Sequence, residues 1–182
     1  MSKRSFAALG LAMLVSACAS APPTIPPVDT VDLQRFMGDW YVIAHIPSYP
    51  EQEAYNAVES YRLDGERIRT TFRFRKGSFD ASLKTMEPVG RVVPGSNNAV
   101  WGMQFVWPIQ AEYVIADLSP DYQRTLVARS KRDYLWIMAR TPTIADADYA
   151  ALVEKAEALG YDIAKLRKVP QQWPETAADA RR

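Results

Sequence analysis

The most regular stretch of the chain is RIRTTFRFR, residues 67–75. Ile68, Thr70, Phe72 and Phe74 alternate with Arg67, Arg69, Thr71, Arg73 and Arg75. A period of two predicts a strand with one buried face. AVWGMQFVW alternates in the same way, with Trp101, Met103, Phe105 and Trp107 opposite Gly102 and Gln104. DWYVIAHIP, stopped by Pro47 and Pro50, and AVESYRL, followed by the turn signal DGE, read as strands. ASLKTMEPVGRVV is a weaker strand, with Pro88 and Gly90 marking a bulge or bend before the turn PGSNN. EYVIADL, QRTLVARS and DYLWIMAR follow at the short, even spacing of an antiparallel meander.

Helical periodicity comes late. Tyr149, Leu152, Val153, Ala156 and Leu159 recur at three and four, with Asp146 as the expected cap and Gly160 as the expected stop. VDLQRFMG makes at most a helical turn ahead of the first strand. Eight successive strands and one late helix build either a sandwich or a barrel. A closed sheet has no free edges, and one of eight strands can enclose one small ligand. In YLWIMAR both faces are apolar, Tyr134, Trp136 and Met138 against Leu135 and Ile137, so the wall there needs an outer cover. The helix is the expected cover.

The first thirty residues obey a different logic. Lys3 and Arg4 precede the apolar run from Phe6 to Val15, and small residues close it, the order of a secretory signal. The run falls short of the roughly 20 apolar residues that cross a bilayer. The closing VSAC resembles a bacterial lipobox, which implies cleavage before Cys18 and a diacylglycerol on its thiol. An ordinary signal leaving Cys18 a free thiol is the plainer alternative. Ala19, where an inner-membrane protein of that class carries Asp, implies the outer membrane, facing the periplasm. APPTIPPVDT then reads as a semi-rigid tether. The expected organisation is a signal over 1–17, a lipidated Cys18 and tether over 18–30, a folded domain over 31–174 and a disordered tail over 175–182.

Among 182 residues, 22 basic and 21 acidic side chains nearly cancel, so there is no global bias toward nucleic acid. Cys18 is the only cysteine, which excludes an internal disulfide. The mature length buries a sufficient core without one.

Gly38-Asp39-Trp40-Tyr41 resembles the G-x-W signature of lipocalins, and YLWIMARTPTI resembles the end of their last strand, with Arg140 at the matching position. The order of eight strands and a helix is also theirs, and the upstream lipobox is similar to that of their bacterial outer-membrane lipoprotein branch. The resemblance covers nearly the whole chain. It implies an eight-stranded antiparallel up-and-down β-barrel with one C-terminal α-helix packed outside. It also implies a membrane-anchored protein that stores or transports fatty acids or lysophospholipids for envelope maintenance, not an enzyme. A homodimer is left open. One departure stands in LSPDYQ, where Ser119 occupies the place of an expected Asp, with Asp121 as a substitute or the motif weakened.

Gly38, Trp40 and Arg140 are assigned to structure: an indole plugging the closed end, a guanidinium stacked on it and reaching carbonyls of DLQRFMG. The candidate lining of a ligand cavity is Ile68, Phe72, Phe74, Trp101, Met103, Phe105, Tyr113, Ile115, Trp136 and Met138. The same stripe could instead fill a solid core. The sole histidine, His45, is out of phase with Trp40 and is expected outside the barrel, where it makes no metal or catalytic site. No cofactor is expected. Two other classes of function remain: an enzyme on the same barrel, for which Glu112 and Asp117 are the only titratable hints, and a ligand-free interaction lipoprotein with a filled barrel. The arginine stripe Arg67, Arg69, Arg73 and Arg75 is either a solvated face or an attraction for anionic head groups.

Overall fold

The structure, a computed structural model, describes residues 24–175. The proposed signal, Cys18, the start of the tether and residues 176–182 lie outside the described residues.

A turn of helix, α1 (Leu33–Phe36), opens the domain, with the Asp32 carboxylate accepting from the Gln34 and Arg35 amides. Strands β1 (Gly38–Ile46), β2 (Ala54–Asp64) and β3 (Arg67–Lys76) follow as antiparallel neighbours. The fourth wall position is shared by β4 (Leu83–Met86) and β5 (Val89–Val92), both paired with β3. Pro88 lacks the amide that would continue the ladder, so the strand breaks at Glu87-Pro88. Strands β6 (Val100–Val106), β7 (Ile109–Leu118), β8 (Arg124–Ala128) and β9 (Leu135–Ala139) complete the meander. Pairing of β9 with β1 closes an eight-stranded antiparallel barrel.

Helix α2 (Asp146–Ala158) lies outside the barrel. Its N-cap is Ala145, not Asp146, which sits one position inside and places its charge at the positive end of the helix. Gly160, at φ +86°, ends it in a Schellman turn: the Tyr161 amide donates to Ala156 O at 3.1 Å and the Gly160 amide to Glu157 O at 2.8 Å. Leu152, Ala156 and Tyr161 share one buried cluster with Leu126, Leu135 and Ile137 on the outer face of the wall. A second cluster lies inside the barrel and includes Phe36, Trp40, Ile68, Trp101, Tyr113 and Met138. β9 is therefore buried on both faces.

The short strand β10 (Arg167–Lys168) and the extended segment after it lie along β1 and β2. The Asn56 amide donates to Pro170 O at 2.9 Å, and Gln171 Nε2 donates to Val42 O at 2.8 Å. This segment corrects two expectations. Arg75, expected on the solvated stripe, is buried, with Nη1 donating to Ala81 O at 2.6 Å and Nε 3.3 Å from Glu175 Oε1. Glu175, expected in the disordered tail, is the other half of that pair.

Two bulges correct the assignment of faces. In β1 the register against β9 shifts between Val42 and Ala44. Trp40 and Val42 face the lumen, whereas Ile43, Ala44 and Ile46 join the outer layer. His45 is thereby turned inward and fully buried, not outside. In β6 the register shifts between Gln104 and Val106. Trp101 and Met103 are buried, but Phe105 is 48 % exposed and Trp107 82 % exposed. The alternation holds as a lumen face only as far as Phe105, which sits at the rim, and Trp107 projects past it.

Candidate functional site

The closed end of the barrel holds the structural residues. Arg140 stacks on the Trp40 ring at 3.8 Å. Its guanidinium donates to Arg35 O at 2.7 Å, Phe36 O at 3.0 Å and Asp39 O at 2.8 Å, and Trp40 Nε1 donates to Phe36 O at 2.8 Å. Gly38 takes φ +93°, which lets the chain turn from α1 into β1. In the neighbouring turn Ser119 Oγ accepts from the Gln123 and Arg124 amides, both at 3.0 Å, and donates to Asp121 Oδ1. A hydroxyl with a carboxylate behind it does the work of the missing Asp, and the turn is intact.

Aromatic packing fills this half of the lumen. Phe36 meets Trp101 edge to face at 5.3 Å, and Trp101 lies flat on Tyr113 at 4.9 Å. Above it, toward the open end, is a cavity of about 340 Å³. Five of the ten proposed lining residues reach its wall: Phe72, Met103, Phe105, Tyr113 and Trp136. The other five, Ile68, Phe74, Trp101, Ile115 and Met138, are buried inside the barrel and pack the lumen without forming that wall. Met86 and Pro88, at the break in the fourth strand, add apolar surface.

The wall also carries polar groups that the pattern of the sequence did not single out. Glu59 and Tyr61 project inward from β2 because a third bulge, between Tyr55 and Val58, resets its register. Tyr61 Oη donates to Glu59 Oε2 and lies 2.6 Å from Tyr113 Oη, making a buried chain of three groups. Burial, reinforced by the charge of Glu51, pushes the Glu59 carboxyl up to about 8, so it is largely protonated at neutral pH. Burial and the neighbouring Glu59 likewise hold the Tyr113 hydroxyl well above its usual range.

Glu51 enters from the loop between β1 and β2. Its carboxylate accepts from Trp136 Nε1 at 2.9 Å and from Ser48 Oγ at 2.5 Å, and it lies 3.6 Å from His45 Nδ1. Thr70 Oγ1 and Arg129 Nε, both of wall residues, are buried without a hydrogen-bond partner among the described residues. Glu112 also lines the cavity, held by the Ser130 amide at 2.6 Å, whereas Asp117 does not reach it. The result is an apolar chamber with a small polar cluster on its wall, the general form of a site for a small amphiphilic molecule. Glu51 and Glu59 were the residues that sequence reasoning missed. An acid on the same side of AVESYRL as Ala57, Tyr61 and Leu63 was the available signal, masked by the usual place of a carboxylate at the surface.

A closed eight-stranded barrel with an external helix, a Trp–Arg plug at one end and a chamber at the other defines a class of small-ligand-binding β-barrels. The lipocalin-like domain family matches residues 31–171, and the chain belongs to that family. It is 32 % identical over 171 residues to the outer membrane lipoprotein Blc of Escherichia coli K12, covering 91 % of this chain and 94 % of that protein. It is 31 % identical over 157 residues to temperature-induced lipocalin-1 of Arabidopsis thaliana, covering 79 % and 81 % of the two chains. Among solved structures, insecticyanin from the tobacco hornworm Manduca sexta superposes with a TM-score of 0.65 at 15 % identity, over 87 % of this chain and 88 % of that one.

Proposed function

We propose that the protein is a lipid-anchored binding protein of the outer membrane that carries one single-chain amphiphile, a fatty acid or lysophospholipid, in the open half of its barrel. The chamber of about 340 Å³ carries this reading. A barrel with a solid lumen would suit a purely structural lipoprotein; this lumen is solid only in its closed half. Met103, Phe72, Phe105 and Met86 offer apolar surface to a tail, whose burial supplies the driving force at about 0.8 kcal/mol per methylene. Thr70, Glu59 and Arg129 offer polar contacts that fix orientation. The similarity to outer membrane lipoproteins supports an anchor at Cys18 and a place in the envelope, with storage or transport of lipid as the role.

Native mass spectrometry of the protein purified from membranes tests this reading. One acyl-chain ligand per barrel is expected, on monomers or on homodimers. A barrel that carries no lipid, and takes none up from solution, would overturn it. Cys18→Ala should lose the acyl mass of the anchor; unchanged acylation would reject Cys18 as the attachment site. The buried Glu51, Glu59 and His45 also meet a condition of the enzyme reading. Turnover of a bound lipid in the same spectra, abolished by Glu59→Gln, would replace the carrier reading with that one.

A further inference from the structure

The meander fixes which loops share an end. β1 runs away from the Trp40–Arg140 plug, so the loops β1–β2, β3–β4, β6–β7 and β8–β9 all surround the mouth of the chamber. Most of the large apolar side chains that stand exposed among the described residues are at this end. Trp107 is 82 % exposed, Tyr49 79 % and Ile109 71 %, with Leu83 and Phe105 at the same end; Val93 is exposed at the opposite end. Nothing in the fold of the barrel requires Trp107 or Ile109 to be apolar, since they project beyond its rim. Exposed apolar groups gathered at one end of a fold mark an interaction surface.

The segment ahead of α1 points the same way. The Ile25 amide donates to Ser130 Oγ at 3.1 Å, in the β8–β9 loop at the mouth. From there the segment runs down the outside of the barrel, Val28 bonding to Ile115 O at 2.9 Å and Val31 to Asn97 O at 3.0 Å, and enters α1 at the closed end. The described part of the chain therefore begins at the open end. Six residues lie between Cys18 and Ile25, and the seven steps across them reach about 25 Å when fully stretched. The nine residues of β1 extend about 30 Å. An anchor at Cys18 therefore holds the open end nearer the bilayer than the closed one.

We propose that the open end of the barrel is a membrane-docking face: Trp107, Ile109 and Tyr49 sit in the lipid interface, and the chamber opens directly onto the bilayer. The occupant is the lipid surface itself. An indole and a phenol are the side chains that favour the interfacial layer, and aliphatic tips bury beneath it. Charge in the loops and strand ends at the mouth is mixed, with Lys76, Lys84, Arg129, Lys131 and Arg132 against Glu53, Asp80 and Asp133, so docking is apolar and only weakly dependent on salt. This separates it from the alternative contact through Arg67, Arg69 and Arg73, whose attraction would be screened. The inference rests on the proposed function for the anchor, and it gives that function a route: a single-chain lipid passes between bilayer and chamber without crossing water.

The test uses the acylated protein reconstituted into vesicles of phosphatidylethanolamine and phosphatidylglycerol at about three to one, with the anchor confirmed first by mass. Nitroxide labels at Ile109→Cys and Val93→Cys report the two ends by collision with oxygen and with a polar nickel chelate. The label at 109 should behave as lipid-exposed and the label at 93 as water-exposed, in low and high salt alike. Both labels in water, or the reverse order, would overturn the proposal. The double variant Trp107→Ser and Ile109→Ser, neither residue on the chamber wall, should slow uptake of a fluorescent fatty acid from vesicles by about tenfold or more. Uptake of the same probe from dilute solution should be unchanged. Equal slowing from both sources would also overturn docking. A wild-type barrel that takes up no probe from either source sinks the carrier reading alone, because the labels still report which end faces the lipid.

Discussion

Glu59 shows how one residue links burial to pH. Its carboxyl moves from an ordinary value of 4.5 to about 8, burial being the main cause and the charge of Glu51 the second. The folded protein thus holds a proton that the unfolded chain has already lost across that window. The associated stability is complete below about 4.5, declines as pH rises and is gone above about 8. Glu59→Gln keeps the shape without the titration. Wild type should lose on the order of a few kcal/mol more than this variant between pH 5 and pH 8, as read by urea denaturation at the two pH values. At the closed end Trp40→Ala removes the surface on which Arg140 stacks and leaves a void. It should cost roughly 3–5 kcal/mol, measured in the same way; an unfolding midpoint that hardly moved would contradict the plug. Trp40 and Arg140 could be named from short motifs because their partners are close in sequence or at fixed places in the strand order. Glu51 and Glu59 could not, because a carboxylate in a strand or loop is ordinarily a surface group.

At the scale of elements, periodicity predicted the strands and the helix, while bulges decided the faces. Each bulge inverts inside and outside for every residue beyond it. The shift in β1 brings His45 into the barrel, and the shift in β2 turns Glu59 inward. The shift near the end of β6 releases Phe105 to the rim. None is marked by glycine, and Pro88, the breaker that was visible, marks a strand break rather than a bulge. The stop of α2 was legible, because a glycine after an apolar periodic run is a strong signal. Gly160→Ala forces a Cβ into a left-handed conformation and against Arg132 Nε at 3.3 Å. It should cost about 1–2 kcal/mol with the helix content retained, checked by circular dichroism during urea denaturation.

At the scale of the whole molecule the barrel is asymmetric, solid at one end and hollow at the other. The aromatic stack of Phe36, Trp101 and Tyr113 makes the floor, so ligand capacity is set by what remains above it. Ala111, on the wall near the mouth, is small enough to leave that space open. Ala111→Trp should fill much of it and abolish lipid binding in native mass spectra, while the unfolding free energy from urea denaturation falls by no more than about 3 kcal/mol. Retained binding would place the ligand elsewhere.

Local order along the chain determined the class of fold. Period-two runs, turn residues at even spacing and one late amphipathic helix leave few arrangements that bury the apolar faces, and the G-x-W and last-strand motifs choose the closed barrel. Which half of the lumen stays empty, which acids line it and which end carries the exposed aromatics were decided only in three dimensions. They depend on register shifts of a single residue and on side chains from distant strands meeting across the barrel, neither of which leaves a periodic trace in the sequence.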